Sequence, residues 1–239
     1  MRSQKIGFSI NFKKAKLPNK NFLIGTYTIL EPINVTKHAD DLFDNFSKDN
    51  KGKDWTYMHE GPFKEKTLFK KYLKGKNNFF YAIYSKRLKT YCGLTSYLRI
   101  KPEIGSIEVG YITYAPNLQK TVDATEAMFL MMSNVFDNLG YRRYEWKCDD
   151  LNQRSKKAAL RLGFKFEGVF RQMFVFKGRN RDSAWFSIID KEWKKLKKGY
   201  QRFLKPSNFV KNYKQFKKLK VTENIYKRVV RLPIYVDMN

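Results

Sequence analysis

Three observations predict an α/β chain with a mixed sheet. Strand-like and helix-like periodicities alternate in the order strand, helix, helix, three strands, helix, strand, helix, two strands. The runs at 77–85, 89–100 and 105–115 are separated by short polar turns and suit an antiparallel meander, whereas the later strand–helix–strand passage needs a crossover and implies at least one parallel pair. Neither a G-x-G-x-x-G fingerprint nor a G-x-x-x-x-G-K-[ST] loop occurs, so nucleotide folds built on those loops lose support.

Each element has a local reason. "NFLIGTYTILEPI" (21–33) reads as a strand closed by Pro32, and Asn34 is an N-cap candidate for a helix carrying Leu42, Phe43 and Phe46 inward. After the loop "WTYMHEGPF" (55–63), Pro62 can open a second helix with Phe63, Leu68, Phe69, Tyr72 and Leu73 on its inner side. The meander follows, then a helix with Ala124, Met128, Met131 or Met132, Val135 and Leu139 at helical spacing, ended by Gly140. Next, 141–149 reads as a strand, 151–164 as a short helix stopped by Gly163, and 164–190 as two strands around "KGRNRD". The run "KEWKKLKKGYQRFL" closes the regular part as a terminal helix. From 205 the tail is basic and less regular, although "YKRVVRLPIYVDM" can add a strand. The expected division is a domain over 1–199 and a basic extension over 200–239.

A 239-residue chain with 42% hydrophobic and 16% aromatic residues can bury a core without help. Apolar runs such as "MFLMM" are far shorter than the roughly 20 residues of a membrane span, and the N-terminal segment lacks an apolar signal core. A cytoplasmic protein with no membrane partner is expected. Cys92 and Cys148 lie in strand-like segments without paired spacing, as buried thiols do, and no metal site is expected. The net charge is +27, from 49 basic and 22 acidic residues, which favours weak association with polyanions or ribosomes. Lysine is scattered along the whole chain, so charge alone names no nucleic-acid site.

Two stretches can carry chemistry. In "YAPNLQKTVDATEAM", the first N–H groups of the helix lack intrahelical partners and its dipole adds positive charge, so its start suits an anion. Lys120 adds a formal charge and Gln119 and Thr121 add donors; alternatively, Thr121 or Asp123 simply caps a core helix. In "CDDLNQRSKKAALRLGF", Asn152 and Ser155 share a face at the start of a short helix just after a strand, where they can meet a ligand or serve as caps. Cys148 reads as a strand thiol rather than a nucleophile, because no base lies near it in sequence.

Three runs in one order, "SIEVGYITYAPNLQKTVDATEAMFLMM", "NLGYRRYEWKCDDLNQRSKKAALRLGFKFEGVFR" and "GRNRDSAWFSIIDKEW", resemble the GNAT superfamily of N-acetyltransferases in its RimJ/RimL-like branch, over roughly residues 22–195. The resemblance implies the acyl-CoA N-acyltransferase fold, with a mostly antiparallel central sheet and helices on both faces. It implies acetyl-CoA as cosubstrate and direct transfer of the acetyl group to a primary amine, on a protein N-terminus or a small molecule. Backbone near Tyr111, Ile112 and Thr113 would pair with the pantetheine arm. Gln119, Lys120, Thr121, Val122, Asp123 and Ala124 would face the pyrophosphate, with Lys120 and Val122 standing where the family usually has glycine. Asn152 and Ser155 match its "N-x-x-S" positions at the pantetheine end, whereas Ala159 stands where some relatives carry a tyrosine acid. Glu108 of "EVGY" is the candidate base, with an ion-pair role as its alternative, and Trp55, Tyr57 and His59 are the candidate acceptor wall. The lost glycines leave a second reading, a catalytically degenerate basic module that binds RNA or ribosomes.

Overall fold

In a computed structural model, residues 4–76 and 79–208 are described. Eight strands form one sheet in the order β1-β2-β3-β4-β5-β6-β8-β7. They are β1 (Leu23–Ile24), β2 (Thr28–Pro32), β3 (Phe80–Ser85), β4 (Thr90–Lys101), β5 (Ser106–Tyr114), β6 (Arg143–Asp149), β7 (Lys165–Phe176) and β8 (Arg179–Ile189). The helices are α1 (Val35–Phe46), α2 (Lys66–Lys74), α3 (Val122–Ser133), α4 (Gln153–Arg161) and α5 (Asp190–Phe203). The predicted meander is β3-β4-β5, and β5 and β6 form the predicted parallel pair.

The expected single strand over 21–33 is two strands. The chain reverses at Gly25–Tyr27, and the Glu126 carboxylate of α3 accepts from the Thr26, Tyr27 and Thr28 N–H groups at 2.8, 2.6 and 2.8 Å. A Cβ on Gly25 would lie 2.4 Å from that carboxylate, so glycine permits the approach. Asn34 caps α1 as expected, accepting from the Lys37 N–H at 3.0 Å. The second helix begins at Lys66 rather than at Pro62, and Leu68 lies 51% exposed at the edge of its apolar stripe while Phe69, Tyr72 and Leu73 are buried. The π-turn Asn134–Asn138 extends α3, and Gly140 and Gly163 end their helices at φ +76° and +96°.

Successive β4 residues point to opposite faces of the sheet. Tyr91 packs on His38 of α1 at 4.4 Å between ring centroids, whereas Cys92 lies toward Asp123 of α3, so helices cover both faces. Both thiols are buried, and burial pushes Cys92 up to about 12 and Cys148 also upward. On the α3 side, Phe129 stacks on Tyr200 of α5 at 5.2 Å. Helix α5 runs across the expected domain limit at 199, with Tyr200 fully buried and Leu204 8% exposed, because its apolar stripe continues into the core. The body therefore reaches at least Leu204. The possible strand at 226–238, and most of the basic tail, lie outside the described residues, as do Asn77 and Asn78 of the 77–85 run, whose strand begins at Phe80. No helix among the described residues is long and apolar enough to cross a membrane.

Replacing Glu126 by Ala would strand three N–H groups of the hairpin. Glu126→Ala is expected to lower unfolding free energy by about 2–3 kcal/mol, read as a fall in the urea midpoint at unchanged slope.

Candidate active site

Strands β5 and β6 pair only from Ser106↔Arg143 to Val109↔Trp146, and then part. Two features hold them apart. Tyr111 takes φ +50° at the bulge where β5 shifts register against β4, and each strand then follows its own helix. Tyr114 donates to the Ala124 carbonyl of α3 at 3.3 Å, and Trp146 Nε1 donates to Ser155 Oγ of α4 at 2.9 Å. The parting opens a cleft of about 1620 Å³.

The cleft gathers most of the residues singled out in the sequence. Glu108, Tyr111, Ile112, Thr113, Gln119, Lys120, Ala124, Asn152, Ser155, Tyr57 and His59 all line it. Trp55 does not: it is 3% exposed and packs edge-on against Phe46 and Phe63 at 5.6 and 5.4 Å, so it is a core residue rather than an acceptor wall. Asp123 also points away, accepting from Ser85 Oγ at 3.0 Å and Arg87 Nε at 3.4 Å. Thr121 is the N-cap of α3, donating to the Leu118 carbonyl at 2.6 Å and accepting from the Ala124 N–H at 3.1 Å. The side chains of Thr121, Val122 and Asp123 are thus outside the cleft lining. Their backbone N–H groups have no acceptor among the described residues.

The left-handed conformation falls on Lys120, at φ +60°, and Val122 is the first residue of the helix. Lys120 is exposed, so its ammonium is available at the mouth. Lys53, Lys157 and Arg161 line the same mouth. Asn152 caps α4 by accepting from the Ser155 N–H at 3.0 Å, so both readings of this residue hold, cap and cleft wall. Ala159 is fully buried and offers no acid.

Glu108 is the centre of an ion-pair ladder. It is 3% exposed, and both its oxygens accept from Arg99 Nη1 at 2.8 Å. Lys147 Nζ lies 2.8 Å from Glu108 and 2.8 Å from Glu145, and 3.6 Å over the Trp185 ring. Arg143 continues the ladder to Glu145 and Glu167. Burial pushes the Glu145 carboxyl up, but hydrogen bonds from Arg143 and Lys147 outweigh it and hold the group below its ordinary range. Both oxygens of Glu108 are thus engaged by cations, the ion-pair arrangement that stood as the alternative to its role as base. Sequence reading missed the ladder because its members come from four strands.

At the other end, Tyr57 OH donates to the Leu151 carbonyl at 3.2 Å, and Arg181 Nη1 donates to the Tyr57 carbonyl at 3.4 Å. These contacts join the 55–63 loop to the turn between β6 and α4 and to β8. The His59 ring meets Phe176 edge-on at 4.9 Å, and burial, with Arg181 nearby, lowers its pKa from the ordinary 6.5. His59 is therefore neutral at pH 7, with a nitrogen lone pair available.

The GNAT acetyltransferase domain model matches residues 28–165. The chain belongs to the GNAT family of acetyltransferases. It is similar to a GCN5-related N-acetyltransferase from Brucella melitensis, with 42% identity over 83% of this chain and 91% of that one and a TM-score of 0.81. A GNAT-family protein from Chromobacterium violaceum shares 33% identity over 80% of this chain and 98% of that one, with a TM-score of 0.73. RimL, a ribosomal L7/L12 α-N-protein acetyltransferase, shares the fold at a TM-score of 0.60, with 18% identity over 73% of this chain and 99% of that one. No curated protein matches the chain. As a GNAT acetyltransferase the chain is an acyl-transferring enzyme, and enzymes of this family use acetyl-CoA.

The ladder generates a stability test. Lys147→Met leaves Glu108 and Glu145 facing each other in a buried site and is expected to cost about 3 kcal/mol or more, measured by urea unfolding. Adding Glu108→Gln to that variant is expected to recover part of the loss.

Proposed function

We propose that the chain transfers an acetyl group from acetyl-CoA to a primary amine, on a protein N-terminus or a small molecule, by direct attack. The observation that carries this reading is the parted β5/β6 edge, which opens beside a helix start with free N–H groups and a ring of cations. The residues fit the donor: the edge of β5 from Gly110 to Thr113 that no longer pairs with β6 would take an amide-rich arm, and the N–H groups of Thr121, Val122 and Asp123, with Gln119, Lys120 and Ala124 around them, would take a diphosphate. Asn152 and Ser155 would border the thiol end. The thioester supplies an activated acetyl carbonyl.

The acceptor would enter past Tyr57 and His59. A protonated amine has no lone pair, so a base must take its proton, directly or through water. His59 would hold that proton, since burial and Arg181 keep it neutral at pH 7. Glu108 would position Arg99 and Lys147, whose charges shape the floor of the acceptor side. Main-chain N–H groups at the bulge around Tyr111 would face the developing negative charge.

Calorimetry with millimolar acetyl-CoA tests the donor, and thiol release against a panel of N-terminal peptides, polyamines and amino acids tests the acceptor. No binding to the wild-type chain would end the enzyme reading. Lys120→Ala is expected to weaken acetyl-CoA roughly two- to tenfold. Lys120→Gly, which relieves the backbone, should remain weaker than wild type if the ammonium matters. For the base, kcat/KM is expected to fall as pH drops through an apparent pKa below 6.5, because protonation removes the acceptor lone pair. His59→Gln should abolish that limb and Glu108→Gln should keep it; the reverse pattern returns the role to Glu108.

A further inference from the structure

We propose that Asp54 is an internal anion that occupies the phosphate-facing donors of the cleft and is exchanged for the donor substrate's diphosphate, which makes it a determinant of acetyl-CoA affinity. The proposal rests on the preceding reading of where that diphosphate lies. Asp54 sits in the 3-10 turn Lys53–Trp55, which Gly52 enters at φ +62°, and its own N–H donates to Asp49 Oδ2 at 2.8 Å. Its side chain is 15% exposed and lines the cleft.

Both carboxylate oxygens are taken by residues that surround the start of α3. Gln119 Nε2 donates to Oδ2 at 2.6 Å and Arg154 Nη1 donates to Oδ1 at 2.8 Å. Arg154 Nη2 closes the ring by donating to Gln119 Oε1 at 2.6 Å. Three distant segments, the 3-10 turn, the loop before α3 and the first turn of α4, thus meet through one carboxylate at the mouth of the cleft. A diphosphate seeks the same donors: an amide N–H and a guanidinium fork. Around the ring, Lys53, Lys120, Lys157 and Arg161 line the cleft with no carboxylate partner among the described residues. Of the carboxylates that line the cleft, Glu108, Glu145 and Asp149 belong to β5 and β6, whereas Asp54 is the one bonded to the Gln119 and Arg154 donors. Arg154 is 64% exposed, so the pair it forms is weakly held and exchangeable.

Asp54→Asn keeps the shape and one of the two acceptor oxygens, and removes the charge that opposes an incoming diphosphate. Calorimetry would compare acetyl-CoA with S-acetyl-pantetheine, which carries no phosphate, on the wild-type chain, Asp54→Asn and Arg154→Gln. The Kd for acetyl-CoA is expected to fall roughly two- to fivefold in Asp54→Asn and to rise in Arg154→Gln, with S-acetyl-pantetheine unchanged in both. An unchanged or raised Kd for acetyl-CoA in Asp54→Asn would make Asp54 a fixed strut and overturn the proposal. So would equal shifts for the two ligands. Absence of acetyl-CoA binding to the wild-type chain is a separate outcome and defeats the donor reading itself.

Discussion

The separation of β5 from β6 beyond Val109 and Trp146 is the constraint on which the rest of the site depends. A parallel pair inside a sheet normally continues until one strand ends, because every unpaired main-chain group removed from water costs free energy. Here the two strands diverge because stronger local ties replace the ladder. Strand β5 is bound to the helix that follows it through Tyr114 and through Gln119, which donates to the Tyr114 carbonyl at 2.9 Å. Strand β6 is bound to its own helix through Trp146 and Ser155. The gap is therefore a property of two strand–helix units that share only a short ladder, and it leaves the β6-facing edge of β5 open to the cleft, where the proposed amide-rich arm would pair.

Two further conditions keep the gap usable. Beneath it, the Arg99–Glu108–Lys147–Glu145–Arg143 ladder ties β4, β5 and β6 together just before they part. Buried charges of this kind add little net stability against an apolar alternative, but they hold a defined geometry, since each group left alone would be costly. Around the gap, Arg99, Tyr111 and Lys120 all carry positive φ, at +43°, +50° and +60°, and all three line the cleft. Such residues cost on the order of 1–3 kcal/mol each and persist where the surrounding structure determines them. Their concentration at one cleft matches the use of bulges to re-aim side chains toward a site.

The sequence was most legible where chemistry is local. The apolar spacing of α3, the cap at Asn34, the stops at Gly140 and Gly163 and the order of strands all follow from residues a few positions apart, and the family motifs fall on the cleft at Gln119, Lys120, Asn152 and Ser155. What could not be read depends on register and on contacts between distant segments. Glu126 meets residues about a hundred positions away, and Glu108 meets Arg99 and Lys147 only because β4, β5 and β6 are neighbours. Trp55 is the converse case. An aromatic residue in a loop reads equally as a wall or as core, and only the positions of Phe46, Phe63 and Tyr72 decide for core.

The absence of glycine before α3 has a physical resolution that distinguishes its two sites. Val122 is the first helical residue, with ordinary helical demands, and its side chain packs against the core, so a β-branched residue there strains nothing. Lys120 alone bears the left-handed conformation. For a residue with a Cβ that conformation costs about 1–2 kcal/mol relative to its preferred regions. A glycine would avoid the cost but would bring no charge. Lysine at this position exchanges backbone ease for an exposed ammonium beside the free N–H groups of the helix start, where the helix dipole already favours an anion. The backbone strain and the positive charge are thus two consequences of one substitution, and the second offsets the first only when an anion is bound.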